Sequence, residues 1–358
     1  MNVKQKIMAA LLSAGLLLLL LPAAFAAEYG EANITPQTTM GEIRLNPSIA
    51  GSGLWTYAKE QKLQGAENLL NGQTLEKYVG SWVAQDCADG LNLLIENYNA
   101  GVQITHKIYS EQEIAEDSSR NDAEIYYYPA STPNAKYALI LSGNMVTRTA
   151  EVKECVSTAY QLHQMGYAAF VMRYRIYPDN DQNAPLDDIA QAVQYITDHA
   201  QQFGVQAEDY AVIGHSAGGQ LTGLFGSDAL GYKNYGLLKP GALILAYPIV
   251  QYAEVTPAYR LGVDGLSCGK FYYEYSVADV ITEDYPPVYF WYGKNDTTLM
   301  MLCWNLQEPA LAKALQANQV PHKQVVYNDA PHGIGLGRGT DAEGWLNDAV
   351  AFWEAQTT

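Results

Sequence analysis

The sequence predicts an α/β fold: a mostly parallel central sheet covered by helices on both faces, preceded by a helical N-terminal extension. Three observations carry this. Short apolar runs such as Tyr137 to Leu141 and Tyr167 to Arg173 are apolar almost throughout rather than alternating, the pattern of strands buried on both faces. From about residue 125 these runs alternate with stretches of ten or more residues at helical spacing, which implies parallel strands joined by crossover helices. Ahead of them, a block from about Trp55 to Tyr98 is helical in its periodicity.

Taken in order, Lys4 and Lys6 precede an apolar run from Ile7 to Leu21, and Ala24-Phe25-Ala26 supplies a small-x-small site. The run is short and the site follows closely, so residues 1–26 read as a signal peptide cleaved after Ala26, with Ala27 next best. An uncleaved anchor is the alternative. Cleavage predicts a secreted or periplasmic/extracellular protein with no stable membrane insertion. Residues 27–53, rich in Gly, Pro, Thr and Asn, read as an extended or poorly ordered arm. Leu75, Tyr78, Val79 and Trp82 then recur at helical spacing, as do Leu91, Leu93, Leu94 and Tyr98, with Asp89-Gly90 as a break or bend between them. Residues 27–101 are therefore an arm and helical extension packed on the main domain, 102–358.

In that domain Ile125 to Tyr128 is the early strand, closed by a Pro-Ala-Ser-Thr-Pro-Asn turn region. Strands follow at Tyr137 to Leu141, Tyr167 to Arg173, Tyr210 to Gly214, Ala242 to Tyr247, Val288 to Trp291 and Gln324 to Tyr327. Helices are predicted over 150–164, 186–199, 217–225, 305–318 and 342–354; Ile189, Val193 and Ile196 make one apolar stripe. Arg173 and Arg175 follow a strand and are expected to order local carboxylates such as Asp179, with a substrate-carboxylate clamp as the lesser alternative.

A net charge of −17, deeper by two once Lys4 and Lys6 leave, argues against nucleic acid and anionic membrane surfaces as partners. Cys87, Cys155, Cys268 and Cys303 are dispersed. They form either two disulfides, in one of three pairings, or free buried thiols, and they give no metal-ligand cluster.

The chemistry centres on Gly214-His215-Ser216-Ala217-Gly218, which lies directly after a short apolar strand and before a helix. Glycines two before and two after allow a cramped strand-to-helix turn that lifts the seryl oxygen clear of the sheet. Ser216 is the candidate nucleophile. The helix N-terminus and the Ala217 N–H favour negative charge beside it. His215 points elsewhere on a tight elbow and is expected to be structural or pocket-lining. The partners of such a serine follow as carboxylate, then histidine. His332, in Asn-Asp-Ala-Pro-His-Gly-Ile-Gly after the last strand, is the candidate base. His322 stands at the opposite end of that strand. Asp296, in the loop after Val288 to Trp291, is the preferred acid; Glu283 and Asp284 precede the strand, and Asp329 is expected to cap or solvate the histidine loop.

These motifs resemble the α/β-hydrolase superfamily, and within it carboxylesterase/lipase-like members, secreted and intracellular, related to the acetyl-esterase branch. The resemblance runs from about Gln103 to Phe352. It rests on the Ser216 pentapeptide, Gly166-Tyr167-Ala168-Ala169-Phe170-Val171-Met172-Arg173-Tyr174-Arg175, Gly293-Lys294-Asn295-Asp296 and Pro331-His332-Gly333. It implies an α/β-hydrolase fold in which Ser216, Asp296 and His332 form the triad, with no metal or organic cofactor. One motif departs. Relatives carry His-Gly-Gly-Gly or Pro-Gly-Gly-Gly where this chain has Leu141-Ser142-Gly143-Asn144-Met145. The backbone N–H of Gly143, Asn144 or Met145 is expected to complete an oxyanion hole with Ala217; the Asn144 side chain is an alternative donor. The aromatic segment 252–285, with Tyr259, Phe271, Tyr272, Tyr273 and Tyr275, is expected to form a lid or pocket. His215, Phe271, Tyr272 and Tyr273 are the pocket candidates.

The function expected is hydrolysis of a small-acyl ester, possible substrates including an acetylated carbohydrate. The rivals are a serine peptidase of the same fold and a weak or inactive hydrolase-fold binding protein, the latter motivated by the altered 143–145 loop.

Overall fold

Eight strands form one sheet in the computed structural model, which describes residues 29–54, 70–143, 151–175, 183–250, 275–298 and 304–357. The leader through Ala26, Asn144, Met145, Asp179, Tyr259, Phe271, Tyr272, Tyr273, Cys268 and Cys303 lie outside the described residues.

The strands are β1 (Thr105–Lys107), β2 (Glu124–Tyr128), β3 (Tyr137–Leu141), β4 (Ala168–Arg173), β5 (Ala211–His215), β6 (Ala242–Ala246), β7 (Val288–Gly293) and β8 (His322–Tyr327). Their order is β1-β2-β4-β3-β5-β6-β7-β8. β2 pairs antiparallel with both β1 and β4, and every pairing from β4 through β8 is parallel. β2 to β7 are buried at every position, whereas the edge strand β8 carries Lys323, Gln324 and an exposed Val326. That difference follows from coverage: an interior strand meets helices on both faces, while an edge strand meets water along one side.

Successive residues of a strand face opposite sides. Leu139, Phe170 and Val212 therefore join one core with Ile189, Val193 and Leu221, and Ile140, Val171 and Ile213 join the other with Leu94, Val156 and Trp353. Between β3 and β5 the chain order reverses direction across the sheet. Such a switch point leaves a crevice at the carboxyl ends of the strands. Leu141 pairs with Gly214 at this place, so the segments after β3 and β5 leave the sheet side by side.

The extension departs from expectation in three respects. Residues 29–54 are not a loose arm, because they contain helices α1 (Met40–Leu45) and α2 (Pro47–Ser52), with Met40, Ile43 and Ile49 buried. Thr39 and Glu42 form a reciprocal capping box, and Asn46 caps a helix that begins with Pro47. Helices this short show no apolar period, so only their caps mark them. Helix α3 (Leu75–Val79) ends before Trp82, which is exposed; Val83 occupies the buried place instead. Lastly, α4 (Ala84–Asn99) runs unbroken through Asp89-Gly90. Gly90 faces helix α5 (Val156–Gln164), where an added Cβ would lie 2.8 Å from Val156 Cγ1 and 3.3 Å from Tyr160 Cβ. The glycine lets two helices approach closely rather than ending one. Its neighbours Cys87, Leu91 and Leu94 share a core with the sheet, so the extension does not form a core of its own.

Cys87 and Cys155 are free and buried, which removes the disulfide alternative for this pair. Burial pushes the Cys87 thiol up to about 12, leaving it protonated and unreactive at neutral pH. Arg173 and Arg175 are committed to internal ion pairs, with Glu124 and Asp188 respectively, each at 2.7 Å. Asp188 also accepts the Tyr109 hydroxyl at 2.7 Å. Both arginines are almost fully buried in these pairs, so their role is structural and the substrate-clamp alternative is not what they do.

The packing at Gly90 makes a stability prediction. Gly90→Leu improves intrinsic helix propensity, so a loss of stability must come from overpacking against Val156. Urea unfolding is expected to show destabilisation of about 1–3 kcal/mol; an unchanged or raised midpoint would mean that α4 does not need the small residue.

Candidate active site

Ser216 stands between the end of β5 and the start of helix α6 (Ala217–Phe225), with φ 54° and ψ −119°. Positive φ is unusual for a residue with a Cβ. Its amide donates to the Ala246 carbonyl at 3.0 Å, and its carbonyl accepts the Gly219 and Ile249 N–H groups at 2.9 and 3.0 Å. The flanking glycines are required sterically. A Cβ at Gly218 would lie 2.5 Å from the Ser142 carbonyl oxygen, and one at Gly214 would collide with the Gly218 carbonyl. The turn thus brings the Ser216 side chain to the crevice between β3 and β5.

Around that hydroxyl the fold gathers the two partners expected from sequence. Ser216 Oγ lies 2.7 Å from His332 Nε2, and His332 Nδ1 lies 2.7 Å from Asp296 Oδ2. With Nδ1–H donating to Asp296, Nε2 is free to accept the seryl proton. Asp296 is almost fully buried, and its Oδ1 accepts the Thr298 N–H at 2.9 Å. It follows β7 directly, and its own amide is anchored on the Gly293 carbonyl at 3.1 Å.

His332 is held by a loop of alternating glycines. Gly333, Gly335, Gly337 and Gly339 all have positive φ, between 59° and 73°. The residues between them dock: Ile334 and Leu336 are buried, and Arg338 grips Asp86 of α4 through two hydrogen bonds of 3.0 Å. A Cβ on Gly335 would lie 3.3 Å from Val83 Cγ1. The extension is therefore a wall against which the histidine loop rests. The run Gly333-x-Gly335-x-Gly337-x-Gly339 was the available signal for this, but only the fold shows what lies behind it.

The other candidates separate. His215 is fully buried, its ring near Tyr247 and Trp345 and its nitrogens 3.3 Å from Thr158 Oγ1 and the Leu141 carbonyl. Burial lowers its pKa and keeps the ring neutral. Its place is in the core, and it is not a pocket wall. Gly143 lies beside the nucleophile, but its N–H donates to Glu154 Oε2 at 2.6 Å, so that amide is already engaged. Ala217, at the first position of α6, keeps an N–H that no turn of its own helix uses. Of the 252–285 segment, the described residues 275–285 lie against α6: Gln220 Nε2 donates to the Tyr275 carbonyl at 3.0 Å, and the Tyr285 hydroxyl donates to the Gly223 carbonyl.

The rejected carboxylates lie elsewhere. Asp284 pairs on the surface with Lys239 and Lys233, which hold its pKa down at about 2. The Asp329 amide is capped by Asp341 at 3.0 Å. His322 begins β8, its Nδ1 2.8 Å from the Val320 carbonyl. Three residues next to the triad had no marker in the sequence. Tyr247 presses its ring on His332 at 5.1 Å; Glu154 approaches from the π turn Glu151–Cys155; Glu308 sits on the helix Trp304–Ala317. Among the described residues no group of three His, Cys, Asp or Glu side chains could hold a metal ion, and no helix is long and apolar enough to cross a membrane.

Comparison with known proteins bears on the fold. A family model described as BD-FAE matches residues 124–233. An acetylxylan esterase of Xylanibacter ruminicola is 24% identical over 225 residues, 62% of this chain but 45% of that protein, so the chain spans under half of its length. Among solved structures, the acetyl ester-xyloside bifunctional hydrolase of Caldicellulosiruptor lactoaceticus has a TM-score of 0.55 at 19% identity, covering 70% of this chain and 95% of its own. Esterase B of Lactobacillus rhamnosis has a TM-score of 0.56 at 19% identity, covering 71% of this chain and 87% of its own. At these identities the structures establish the fold, an α/β-hydrolase sheet.

Glu308 supplies a pH prediction. Its carboxyl is fully buried, neither oxygen has a hydrogen-bond partner among the described residues, and burial with the nearby Asp296 charge raises its pKa from 4.5 to about 8. The folded state keeps a proton that the unfolded chain loses above 4.5, so this group's contribution to stability is complete below 4.5 and is lost as pH rises through about 8. Glu308→Gln removes that dependence. Thermal unfolding is expected to show the variant gaining on the parent as pH rises to about 8, by up to ~1.4 kcal/mol per unit, and levelling off above it. A gap that does not change with pH would contradict this assignment.

Proposed function

We propose that this chain, which has the α/β-hydrolase fold and is similar to carboxylesterase-like proteins, hydrolyses small-acyl carboxylic esters through an acyl-enzyme on Ser216. The observation that carries the reading is the unbroken relay from Ser216 Oγ through His332 to Asp296, with both links at 2.7 Å. An isolated serine hydroxyl is a weak nucleophile, and an adjacent base oriented by a third group is what activates it.

In this mechanism Ser216 Oγ attacks the ester carbonyl carbon while His332 Nε2 takes its proton. Asp296 fixes the imidazole tautomer and stabilises the imidazolium. The carbonyl oxygen becomes an oxyanion beside the Ala217 N–H, with the second donor supplied by Asn144 or Met145, since Gly143 is bound to Glu154. His332 then returns the proton to the departing alcohol, and water attacks the acyl-serine by the same steps in reverse roles. An acetylated carbohydrate is the preferred substrate class. It is supported by the names of two similar proteins, an acetylxylan esterase and an acetyl ester-xyloside hydrolase, and by the leader read from Lys4 to Ala26, which would put the enzyme where such polymers lie.

A fluorophosphonate probe is expected to label the parent and leave Ser216→Ala unlabelled, and Asp296→Asn should cut kcat by roughly ten-thousandfold. On p-nitrophenyl acetate the parent should turn over, and on aminoacyl anilides it should not. Preferential cleavage of the anilides would replace the esterase reading with a peptidase. Failure on every ester with Ser216 unlabelled would leave a binding protein.

A further inference from the structure

Glu154 has no part in the triad, yet it touches both halves of the site. Its carboxylate is buried, 5% exposed, at the end of the π turn that opens α5. Oε2 accepts the Gly143 N–H at 2.6 Å. Oε1 accepts the Tyr247 hydroxyl at 3.4 Å, and the same hydroxyl oxygen accepts the Gly335 N–H at 3.2 Å. Two close approaches show how near the reacting atoms this lies. A Cβ on Gly143 would be 2.9 Å from Ser216 Cβ, and a Cβ on Gly333 would be 3.9 Å from Glu154 Oε1.

Resting on the reading of Ser216 as nucleophile, we propose that Glu154 is a positioning residue for ester hydrolysis. It pins the turn after β3 through Gly143 and, through Tyr247, ties that turn to the His332 loop. In sequence Gly143 stands between Ser142 and Asn144-Met145, so it is the one residue of this stretch without a side chain. A carboxylate on the Gly143 amide fixes the orientation of that peptide beside Ser216. Tyr247 is itself constrained, with φ 39°, its ring at 5.1 Å from His332 and its hydroxyl between Glu154 and Gly335. Among the described residues Glu154 has no cationic partner in an ion pair, and its partners there are the Gly143 amide and the Tyr247 hydroxyl. A buried carboxylate that loses one of its donors is strongly disfavoured, which makes the arrangement stiff.

Reach, more than charge, is what this role requires. Glu154→Asp keeps the charge but withdraws the carboxylate by one methylene; Glu154→Gln keeps the reach and an acceptor for Gly143. The expected order of kcat on p-nitrophenyl acetate is therefore parent, Gln, Asp. Asp should lose roughly a hundredfold and Gln less than about tenfold, with KM little changed. The fraction of folded protein titrated by fluorophosphonate should stay at the parent's level in both. If Asp equals or exceeds Gln, or if the losses fall in KM or in the titratable fraction instead of kcat, the proposal is overturned. A third variant, Tyr247→Phe, tests the tie to the His332 loop separately: kcat should fall with KM unchanged, and parent-like turnover would overturn that link. A parent enzyme in which fluorophosphonate does not label Ser216 would instead defeat the esterase reading, which distinguishes the two failures.

Discussion

At the end of β5 the chain must turn from strand to helix within one residue, and that residue has a side chain. Holding Ser216 at φ 54° costs on the order of 1–3 kcal/mol, and the surroundings meet that cost with hydrogen bonds to Ala246 of β6, Gly219 of α6 and Ile249 just beyond β6. Much follows from this single conformation. It requires Gly214 and Gly218, because a Cβ at either would meet backbone. It starts α6 immediately after Ser216, with Ala217 at the first helical position. It also requires β3 and β5 to be neighbours, since the Ser142 carbonyl is what Gly218 packs against. The strand order of the whole sheet is thus bound to the geometry of one serine.

The hydrogen-bonded arrangement of Ser216, His332 and Asp296 was legible from the sequence because each residue sits at a place marked twice, by residue type and by element. Ser216 follows an apolar strand, Asp296 follows the next-to-last strand, and His332 follows the last. What could not be read was whatever depends on distance across the fold. Gly90 has the local appearance of a break, and only the helix packed on it explains why glycine stands there. His215 adjoins the nucleophile in sequence, yet the alternation of side chains along β5 sends it into the opposite core. Residues 29–54 looked unstructured because their helices are too short to show a period, although Thr39 and Glu42 carry a readable cap.

Carboxyl groups near the site show how environment divides one chemistry into several roles. Asp296 is buried with an imidazole and an amide as partners and can support charge on His332. Glu154 is buried with an amide and a phenol and shapes backbone. Glu308 is buried with neither and holds its proton well into the neutral range, its pKa raised to about 8. Asp296 and Glu154 both reach the histidine loop, through His332 and through Tyr247 to Gly335, and the N-terminal extension supports that loop through Asp86 and Val83. The extension is in this sense part of the scaffold around the candidate site, and its packing on α5 and on the loop explains why it shares a core with the sheet.

The account as a whole rests on a covalent intermediate at Ser216. The direct measurement is peptide mapping by mass spectrometry of protein acid-quenched during turnover of p-nitrophenyl acetate. It should find one acetyl group on the peptide bearing Ser216, and none there in Ser216→Ala. Turnover with Ser216 unmodified, or with the acetyl group on another residue, would contradict it.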